Sequence, residues 1–240
     1  MAEGRRARLW SLIAETAAAH EGPASAGDAC AVAVAAAGLD GGWLSVMSDP
    51  ARRALVHATG GRAAEVEALQ FTLGEGPSTD AFSTRSPVLV ADLGEPGWRE
   101  RWPGFAVAGE LAGVAAVFAF PVTLGAIRLG VLGLYRESPG SLSPGALADV
   151  LVCVDAALLL LLEARAGIDG DVDGRPVDGW NAHHAQVYQA SGMVSAQRGV
   201  GLEESLSVLR AYAFANDLTL DEVAAAVVSR RLRLERGPAG

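Results

Sequence analysis

The sequence predicts an α+β domain with a mainly antiparallel sheet, followed by a small all-α bundle of three helices. Between residues 43 and 136, short runs rich in β-branched and aromatic residues alternate with turn-forming residues. Apolar residues at helical spacing precede and follow these runs, and beyond residue 180 the pattern is helical throughout. Strands in hairpins, with helices between them and at both ends, favour a sheet covered by helices on one face.

The first elements are two helices and a pair of strands. Residues 5–20 place apolar side chains at helical spacing, and the Ala/Val-rich run 25–37 is followed by Gly38, a residue type that ends helices. Asp49-Pro50 separates the first two strands, and Gly125 lies between the last two. Strands are predicted at 43–48, 53–58, 87–93, 113–121 and 129–136, and helical patches at 77–84 and 98–108.

A long apolar helix closes this domain. Residues 144–164 place Leu147, Leu151 and Val154 at core spacing, and the run 158–162 is apolar all round. A helix of this kind needs partners on two sides. We therefore predict that one face covers the sheet and the other meets a second subunit, giving a homodimer. Complete burial inside one monomer is the alternative.

A linker divides the chain. Residues 167–179 (GIDGDVDGRPVDG) contain too little apolar surface to fold. The sequence thus predicts a first domain over 8–165, a linker over 166–179 and a helical domain over 180–236. Thr219 and Glu222 form a Ser/Thr-x-x-Glu capping box, which marks a helix start. Helices are predicted at 181–197, 202–214 and 219–234.

Composition favours a soluble chain in a reducing compartment. The longest uninterrupted apolar runs are shorter than the roughly 20 residues of a membrane helix, and the N-terminus has no apolar signal core. Neither a membrane span nor export is expected. Cys30 and Cys153 lie far apart in apolar surroundings, as buried free thiols would. A cytoplasmic location is therefore predicted.

The net charge of −9 is unevenly distributed. Residues 1–179 carry 13 arginines and 22 acids, whereas residues 180–240 carry six of each. Near the C-terminal end, Arg230, Arg231, Arg233 and Arg236 are accompanied only by Glu235. The overall acidity argues against unspecific nucleic acid binding by the whole chain, but one locally basic surface is expected on the helical domain.

The residue patterns support neither catalysis nor metal binding. His183 and His184 are adjacent, so on a helix they point about 100° apart, and no further ligand stands at metal-site spacing. The run Gly74-Glu75-Gly76-Pro77 lacks the lysine of a phosphate-binding loop. We predict that the chain is not an enzyme and needs no metal or cofactor.

Several stretches of the first domain resemble the GAF family of sensor domains. They are GGWLSVMS (41–48), LQFTLGEGPSTDAF (69–82), SPVLVADL (86–93), RWPGF (101–105) and FPVTLGAIRLGVLGLYR (120–136). With the flanking helices the resemblance covers about residues 8–165, and it implies a GAF-like fold that senses a small molecule or a partner. Many relatives have cysteine where Ser78 stands, so a thiol-based role is not implied here.

A ligand cavity is expected under the Gly74–Pro77 turn. Gly74, Gly76 and Pro77 fit a tight turn that starts a short helix over the sheet, and such a lid can close a pocket. Aromatic walls with one acid suit a small planar or amphipathic ligand. The predicted ligand-binding residues are Trp43, Phe71, Asp80, Trp98, Trp102 and Phe105. Alternatively, the tryptophans simply fill the core.

Residues 181–235 resemble the ANTAR domain, a three-helix module that binds tandem RNA hairpins and prevents transcription termination. The matching stretches are VYQASGMVSAQRGV (187–200), LEESLSVLRAYA (202–213) and LTLDEVAAAVV (218–228). The resemblance implies that the partner is structured RNA with paired stem-loops. A glycine inside a helix costs about 1 kcal/mol relative to alanine, so Ala190 and Gly192 fit a place where another helix or an RNA backbone comes close.

RNA loops are recognised by stacking bases on aromatic or guanidinium planes while cations hold the phosphates. The predicted RNA-binding residues are Arg198, Arg210, Tyr212, Arg230, Arg231, Ala190 and Gly192. Three alternatives stay open: Tyr212 as a core aromatic, Ala190 as simple helix packing, and the arginines after residue 229 as partners of a helix dipole.

These observations lead to one functional hypothesis and two rivals. A signal at the GAF-like domain changes how two subunits pack and thereby controls paired RNA-binding modules, which prevent transcription termination. In the first rival, the helical C-terminus docks onto another protein. In the second, the GAF-like domain is a redox enzyme, which would need paired exposed cysteines.

Overall fold

The computed structural model describes residues 2–50, 52–169 and 184–234. A helical pair leads into a sheet interrupted by short helices, and a long helix precedes three more. The helices are α1 (Ala2–Ala19), α2 (Ala26–Ala37), α3 (Ala63–Leu73), α4 (Pro77–Thr84), α5 (Pro96–Arg101), α6 (Pro103–Leu111), α7 (Pro144–Asp169), α8 (Ala185–Arg198), α9 (Leu202–Ala215) and α10 (Leu220–Val228). The strands are β1 (Gly41–Asp49), β2 (Arg52–Thr59), β3 (Val88–Val90), β4 (Ala116–Leu124) and β5 (Ile127–Arg136).

The five strands form one antiparallel sheet in the order β2-β1-β5-β4-β3. The β4–β5 hairpin sets Phe120 opposite Leu132, as the turn at Gly125 predicts. Close approach to β1 accounts for Gly130, because a Cβ at that position would lie 2.0 Å from the carbonyl oxygen of Ser45. The predicted antiparallel sheet is confirmed.

Helices cover both faces of the sheet, so the prediction of one covered face is wrong. Leu44 and Leu132 point into a core with α1, α2 and α7. On the opposite face, Trp43 and Val117 pack with α3 and α6, and Met47 and neighbours pack with α4. The alternation along β1 provides two apolar faces, each of which needs a helical layer.

The helices α3, α7 and α10 differ from the predicted ones. The helix α3 was not predicted at all. The helix α7 continues to Asp169, so the first four residues of the predicted linker are helical, and 170–179 lie outside the described residues. The helix α10 ends at Val228 instead of continuing to residue 234, because Arg230 adopts a left-handed φ of 58°.

The long helix α7 lies in the core of the first domain. Its stretch Pro144–Ala166 has a mean hydropathy of 2.3, so by length and composition alone it would suit a membrane span. Its buried face packs with α2 and β4. Leu151 and Leu159 remain exposed on its outer side, at 44% and 40%, so the prediction of Leu151 as a core position is wrong.

Both cysteines are buried and free, as the sequence predicts. Burial raises the pKa of the Cys153 thiol to about 12 and also raises that of Cys30. A thiol kept protonated in this way is a poor nucleophile. These cysteines therefore serve packing.

The last three helices form a bundle around their own core. Val187, Leu206, Leu209, Val223 and Val227 are buried in it. Thr219 and Glu222 form the predicted capping box at the start of α10. The cluster also includes one side chain of the first domain, Phe71 of α3. The bundle is thus joined to the first domain.

Candidate functional site

Four of the six predicted ligand-binding residues lie in one layer between the sheet and α5–α6. Trp43, Trp102 and Phe105 are buried, and Trp98 stacks on Trp102 with ring centroids 5.1 Å apart. Opposite Trp43 stands Gly133, where a Cβ would lie 2.1 Å from Cε2 of the indole. The rings fill this layer, so a ligand would have to displace them.

Asp80, the predicted acid of the pocket, has two partners inside the chain. Its Oδ2 accepts a hydrogen bond from Nε1 of Trp102 at 3.1 Å and one from Nε of Arg101 at 2.5 Å. These contacts join α4 to the α5–α6 corner.

The Gly74–Pro77 turn starts α4, as the sequence predicts. Gly74 and Gly76 have φ of 74° and 125°, values that favour glycine. Between them, Oε1 of Glu75 accepts hydrogen bonds from the backbone N–H groups of Gly104 and Phe105, at 2.7 and 2.9 Å. The turn therefore holds α4 and the N-terminus of α6 together.

Phe71, the remaining predicted ligand residue, faces the helical bundle. The ring of His184 stacks on it with centroids 3.9 Å apart. The guanidinium carbon of Arg210 lies 5.6 Å from the Phe71 ring centroid, and Nη2 of Arg210 donates a hydrogen bond to the Phe71 carbonyl. Burial lowers the pKa of Arg210 to about 10. Phe71 thus belongs to a contact between the domains.

A buried carboxylate lies beside this contact. Glu67 is 1% exposed; its Oε1 accepts a hydrogen bond from Oγ of Ser45 at 3.1 Å and lies 3.5 Å from Nη1 of Arg53. Its Oε2 lies 3.7 Å from Nε2 of His184. Burial disfavours the charged form, but the contacts with His184, Arg53 and Ser45 outweigh it and lower the pKa of Glu67.

Tyr188 completes the contact on the bundle side. Its hydroxyl donates to the carbonyl of Arg53 and accepts a hydrogen bond from the Arg53 backbone N–H at 2.7 Å. Burial raises the pKa of Tyr188 to about 12. We call this set the docking interface; it consists of Arg53, Glu67, Phe71, His184, Tyr188 and Arg210.

Four of the predicted RNA-binding residues lie wholly or partly inside the chain. Ala190 is buried in the bundle core, and Tyr212 packs half-buried against it. Arg198 directs Nη1 toward the Leu234 carbonyl at 3.4 Å, while Arg210 is in the docking interface. Ala190 and Tyr212 therefore occupy the packing positions that the alternatives foresaw.

The other three are not buried in the bundle, and Gly192 among them is half-buried. A Cβ at Gly192 would meet nothing within 4 Å, so no helix of the described chain requires glycine there. Arg230 and Arg231 are exposed beyond the end of α10, and Arg198 at the end of α8 lies at the same end of the bundle, since it reaches Leu234. They form a basic end on the helical domain.

The sequence reasoning missed an exposed aromatic ring. Phe214 on α9 is 88% exposed. Apolar residues at helical spacing on α9 are Leu202, Leu206, Leu209 and Ala213. Phe214 follows directly after this series and lies outside it. The sequence therefore could have predicted that this aromatic ring is exposed.

Cavities lie at two places beside the sheet. One, of about 590 Å³, lies between the β1–β2 edge and the bundle, and its walls include Met47, Ala54, Tyr188 and Leu206. The other, of about 470 Å³, lies between α2 and α7 and includes His57. None of the six predicted ligand residues lines either cavity.

Comparison with known proteins assigns the first domain. The GAF domain family matches residues 25–148, just over half of the chain. This chain belongs to the GAF family. The GAF domain of an Acinetobacter phosphoenolpyruvate-protein phosphotransferase has a similar structure, with a TM-score of 0.52 and 16% identity over 70% of this chain and 98% of that one. No curated protein matches.

Other GAF structures are similar but more distant. The GAF domain of a Coxiella burnetii phosphoenolpyruvate-protein phosphotransferase gives a TM-score of 0.48 at 16% identity, covering 70% of this chain and 99% of that one. The second GAF domain of DevS from Mycobacterium smegmatis gives 0.43 at 21% identity, covering 60% and 94%. The family match begins just before α2 and ends within α7, and α8–α10 lie beyond it.

Among the described residues, no group of three or more His, Cys, Asp or Glu side chains is arranged to hold a metal ion. Buried polar side chains come together at the docking interface, between the GAF domain and the bundle. Sequence reasoning missed Arg53, Glu67 and Tyr188 there. A signal existed, because Glu67 and Gln70 fall among the apolar residues of a helical stretch, where an acid needs a partner.

Proposed function

We propose that this GAF protein is a cytoplasmic regulator that binds paired RNA stem-loops in nascent transcripts and prevents transcription termination. The GAF domain senses a small molecule or a partner, and the bundle of α8–α10 binds the RNA. The chain acts as a homodimer and carries no catalytic activity. A GAF signalling role follows from the family; the RNA role rests on the ANTAR resemblance of residues 181–235 and on the surface of the bundle.

The exposed ring of Phe214 is the observation that carries the RNA proposal. The bundle buries a continuous core, yet it leaves this aromatic side chain 88% exposed. Exposing a phenylalanine to water is unfavourable unless the ring has a partner. An unpaired base in an RNA loop is such a partner, because its flat face stacks on aromatic rings.

The basic end supplies the complementary charge. Arg230 and Arg231 are exposed, and the bundle as a whole lacks the excess of acids found in the GAF domain. Guanidinium groups at the end of a neutral domain can bind phosphates, whereas the acidic GAF domain repels them. Gly192, whose open surface needs no glycine for internal packing, fits a close approach of the RNA backbone.

The docking interface gives the sensor a route to the RNA-binding module. Arg210 is engaged with the Phe71 carbonyl and ring, so in this conformation its guanidinium is withdrawn from RNA. A signal that changes the GAF domain near α3 would alter this contact. The sensor and the bundle are then coupled by one set of buried residues.

The first prediction tests the bundle surface. Phe214→Ala is expected to weaken binding to an RNA with two stem-loops by about fivefold or more, because base–aromatic stacking contributes about 1–3 kcal/mol per base. Leu111→Ala, which removes a side chain 85% exposed on α6 of the GAF domain, is the matched control and should leave affinity unchanged. Fluorescence anisotropy with labelled RNA measures both.

An exposed phenylalanine could also bind another protein, so the Phe214 result alone does not identify RNA as the partner. The salt dependence of binding distinguishes the two. Removing Arg230 and Arg231 together should reduce the slope of log affinity against log salt by about 1.4, since each phosphate contact on a single strand contributes about 0.7. Arg85→Ala on the GAF domain is the control. Absence of RNA binding at low salt by the folded protein would refute the proposal.

A further inference from the structure

The cavity between the GAF domain and the bundle has the size of a ligand site. Its volume of about 590 Å³ falls within the roughly 300–1,000 Å³ of small-molecule pockets. The walls come from both domains: Val46, Met47 and Ala54 from the sheet, Leu202 and Leu206 from α9. Most of this surface is apolar, so the cavity favours an apolar body.

The charged side chains that line this cavity are positive, although the chain as a whole is negatively charged. Three of the lining residues are arginines, Arg52, Arg53 and Arg165, and none of the lining residues is acidic, in a chain whose net charge is −9. Arg53 is committed to the Pro50 carbonyl and the Thr79 hydroxyl. The cationic groups available to a ligand are therefore Arg52 and Arg165.

These two arginines are weakly held. Arg52 approaches Asp49 only at 3.8 Å, with its side chain 55% exposed, and exposed pairs of this kind contribute little. Arg165 is exposed and has no acidic partner among the described residues. Both can turn toward an anion without losing a strong contact.

Two other polar side chains in the wall, those of Tyr188 and Ser191, already have hydrogen-bond partners. The Tyr188 hydroxyl is bonded to the backbone of Arg53, and Oγ of Ser191 donates to the Tyr188 carbonyl at 2.9 Å. A ligand with several neutral polar groups would find few partners. Selectivity therefore lies in the anionic end and the apolar body.

We propose that this cavity binds a small organic acid with an apolar body, with the carboxylate at Arg52 and Arg165 and the apolar part against Met47 and Leu206. The inference deepens the proposed function, because it gives the sensor a ligand class and a site other than the aromatic layer predicted from sequence. A ligand here touches both domains, and its binding energy acts on how they are docked.

Decanoate is the probe, at concentrations where it stays monomeric, with the full chain and no RNA. We expect saturable binding by calorimetry and a rise in Tm that follows the decanoate concentration. Decanol, which keeps the apolar chain, should bind at least tenfold more weakly, and acetate, which keeps the charge, should not bind measurably. Failure of decanoate to bind, or equal binding of decanol, would overturn the proposal.

Two sets of variants locate the site. Ala185 is an exposed lining residue at the start of α8, and Ala185→Trp should abolish decanoate binding, whereas Ala196→Trp, also exposed on α8 but not lining, should not. Arg52→Gln with Arg165→Gln should weaken binding about tenfold, with Arg85→Gln as control. Unchanged binding by Ala185→Trp would place decanoate elsewhere and reject the site. Because RNA is absent, these results stand apart from the RNA test.

Discussion

Glu67 is the residue on which the docking interface depends. A carboxylate that is 1% exposed is stable only because Arg53, His184 and Ser45 replace the water it has lost. Two of these partners belong to the GAF domain and one to the bundle. The charge therefore stabilises the contact between domains as well as the domain that carries it.

Replacing this charge should destabilise the protein. Glu67→Gln keeps the size of the side chain but leaves Arg53 without its buried counter-charge, which costs about 3 kcal/mol when one partner of a buried pair is removed. Urea unfolding at pH 7 measures the loss. Glu65→Gln changes an exposed glutamate of the same helix and should cost less than about 0.5 kcal/mol.

The pH dependence gives an independent check of the same prediction. The pKa of Glu67 is lowered in the folded chain, so its stabilisation is complete above the unfolded value of about 4.3 and is lost as pH falls through the folded pKa. The stability difference between wild type and Glu67→Gln should therefore shrink below about pH 4. A difference that stays constant down to pH 3 would contradict the charged pair.

Sequence patterns located single residues better than they located their partners. The Gly74–Pro77 turn and the Thr219–Glu222 capping box depend on neighbours a few residues away, and both were predicted. Tyr188 and Arg53 are 135 residues apart, and Arg210 and Phe71 are 139 apart. Pairs of this kind are set by the packing of whole domains, which periodicity does not describe.

Among the elements, α3 shows why a helix was missed. Its apolar side chains, among them Val66 and Phe71, are interrupted by the buried polar residues Glu67 and Gln70, which blur the helical stripe on which recognition depends. The helix α7 has no buried polar residue of this kind among its described residues, and it was found. Buried polar residues, one of them in the docking interface, thus concealed the helix that carries them.

The outer face of α7 leaves apolar side chains exposed to solvent. Leu151 and Leu159 are 44% and 40% exposed, and burying them against a second copy would recover apolar area at about 25 cal/mol per Å². We predict that the wild type is a dimer and that Leu151→Glu with Leu159→Glu is a folded monomer. Sedimentation analysis measures the change.

The control for this prediction is Leu111→Glu, which charges an apolar side chain of greater exposure on another helix, α6. It should leave the dimer intact. If both variants sediment as the wild type does, α7 does not provide the subunit contact. Circular dichroism of each variant confirms that the helices remain.

At the scale of the whole molecule, the acidic GAF domain and the neutral bundle are joined by contacts that use an arginine on each side. The guanidinium carbons of Arg53 and Arg210 lie 5.9 and 5.6 Å from the centroid of the same Phe71 ring. Under the proposed function, Arg210 serves either the docking interface or RNA, but not both at once. Docking and RNA binding then oppose each other, and a change that weakens one favours the other.

Tyr188→Phe tests this competition, because it removes the hydroxyl bonded to the Arg53 backbone and keeps the ring beside Phe71. Losing this bond weakens docking by about 1 kcal/mol, so RNA affinity should rise up to about fivefold. Combining it with Arg210→Ala should remove this rise in RNA affinity.

Hydrogen exchange supplies the control for this prediction. Amides of α3 and α8 should exchange faster in Tyr188→Phe, while exchange in the β4–β5 hairpin should be unchanged. Faster exchange in α3 and α8 without tighter RNA binding would show that docking does not restrain the RNA-binding module.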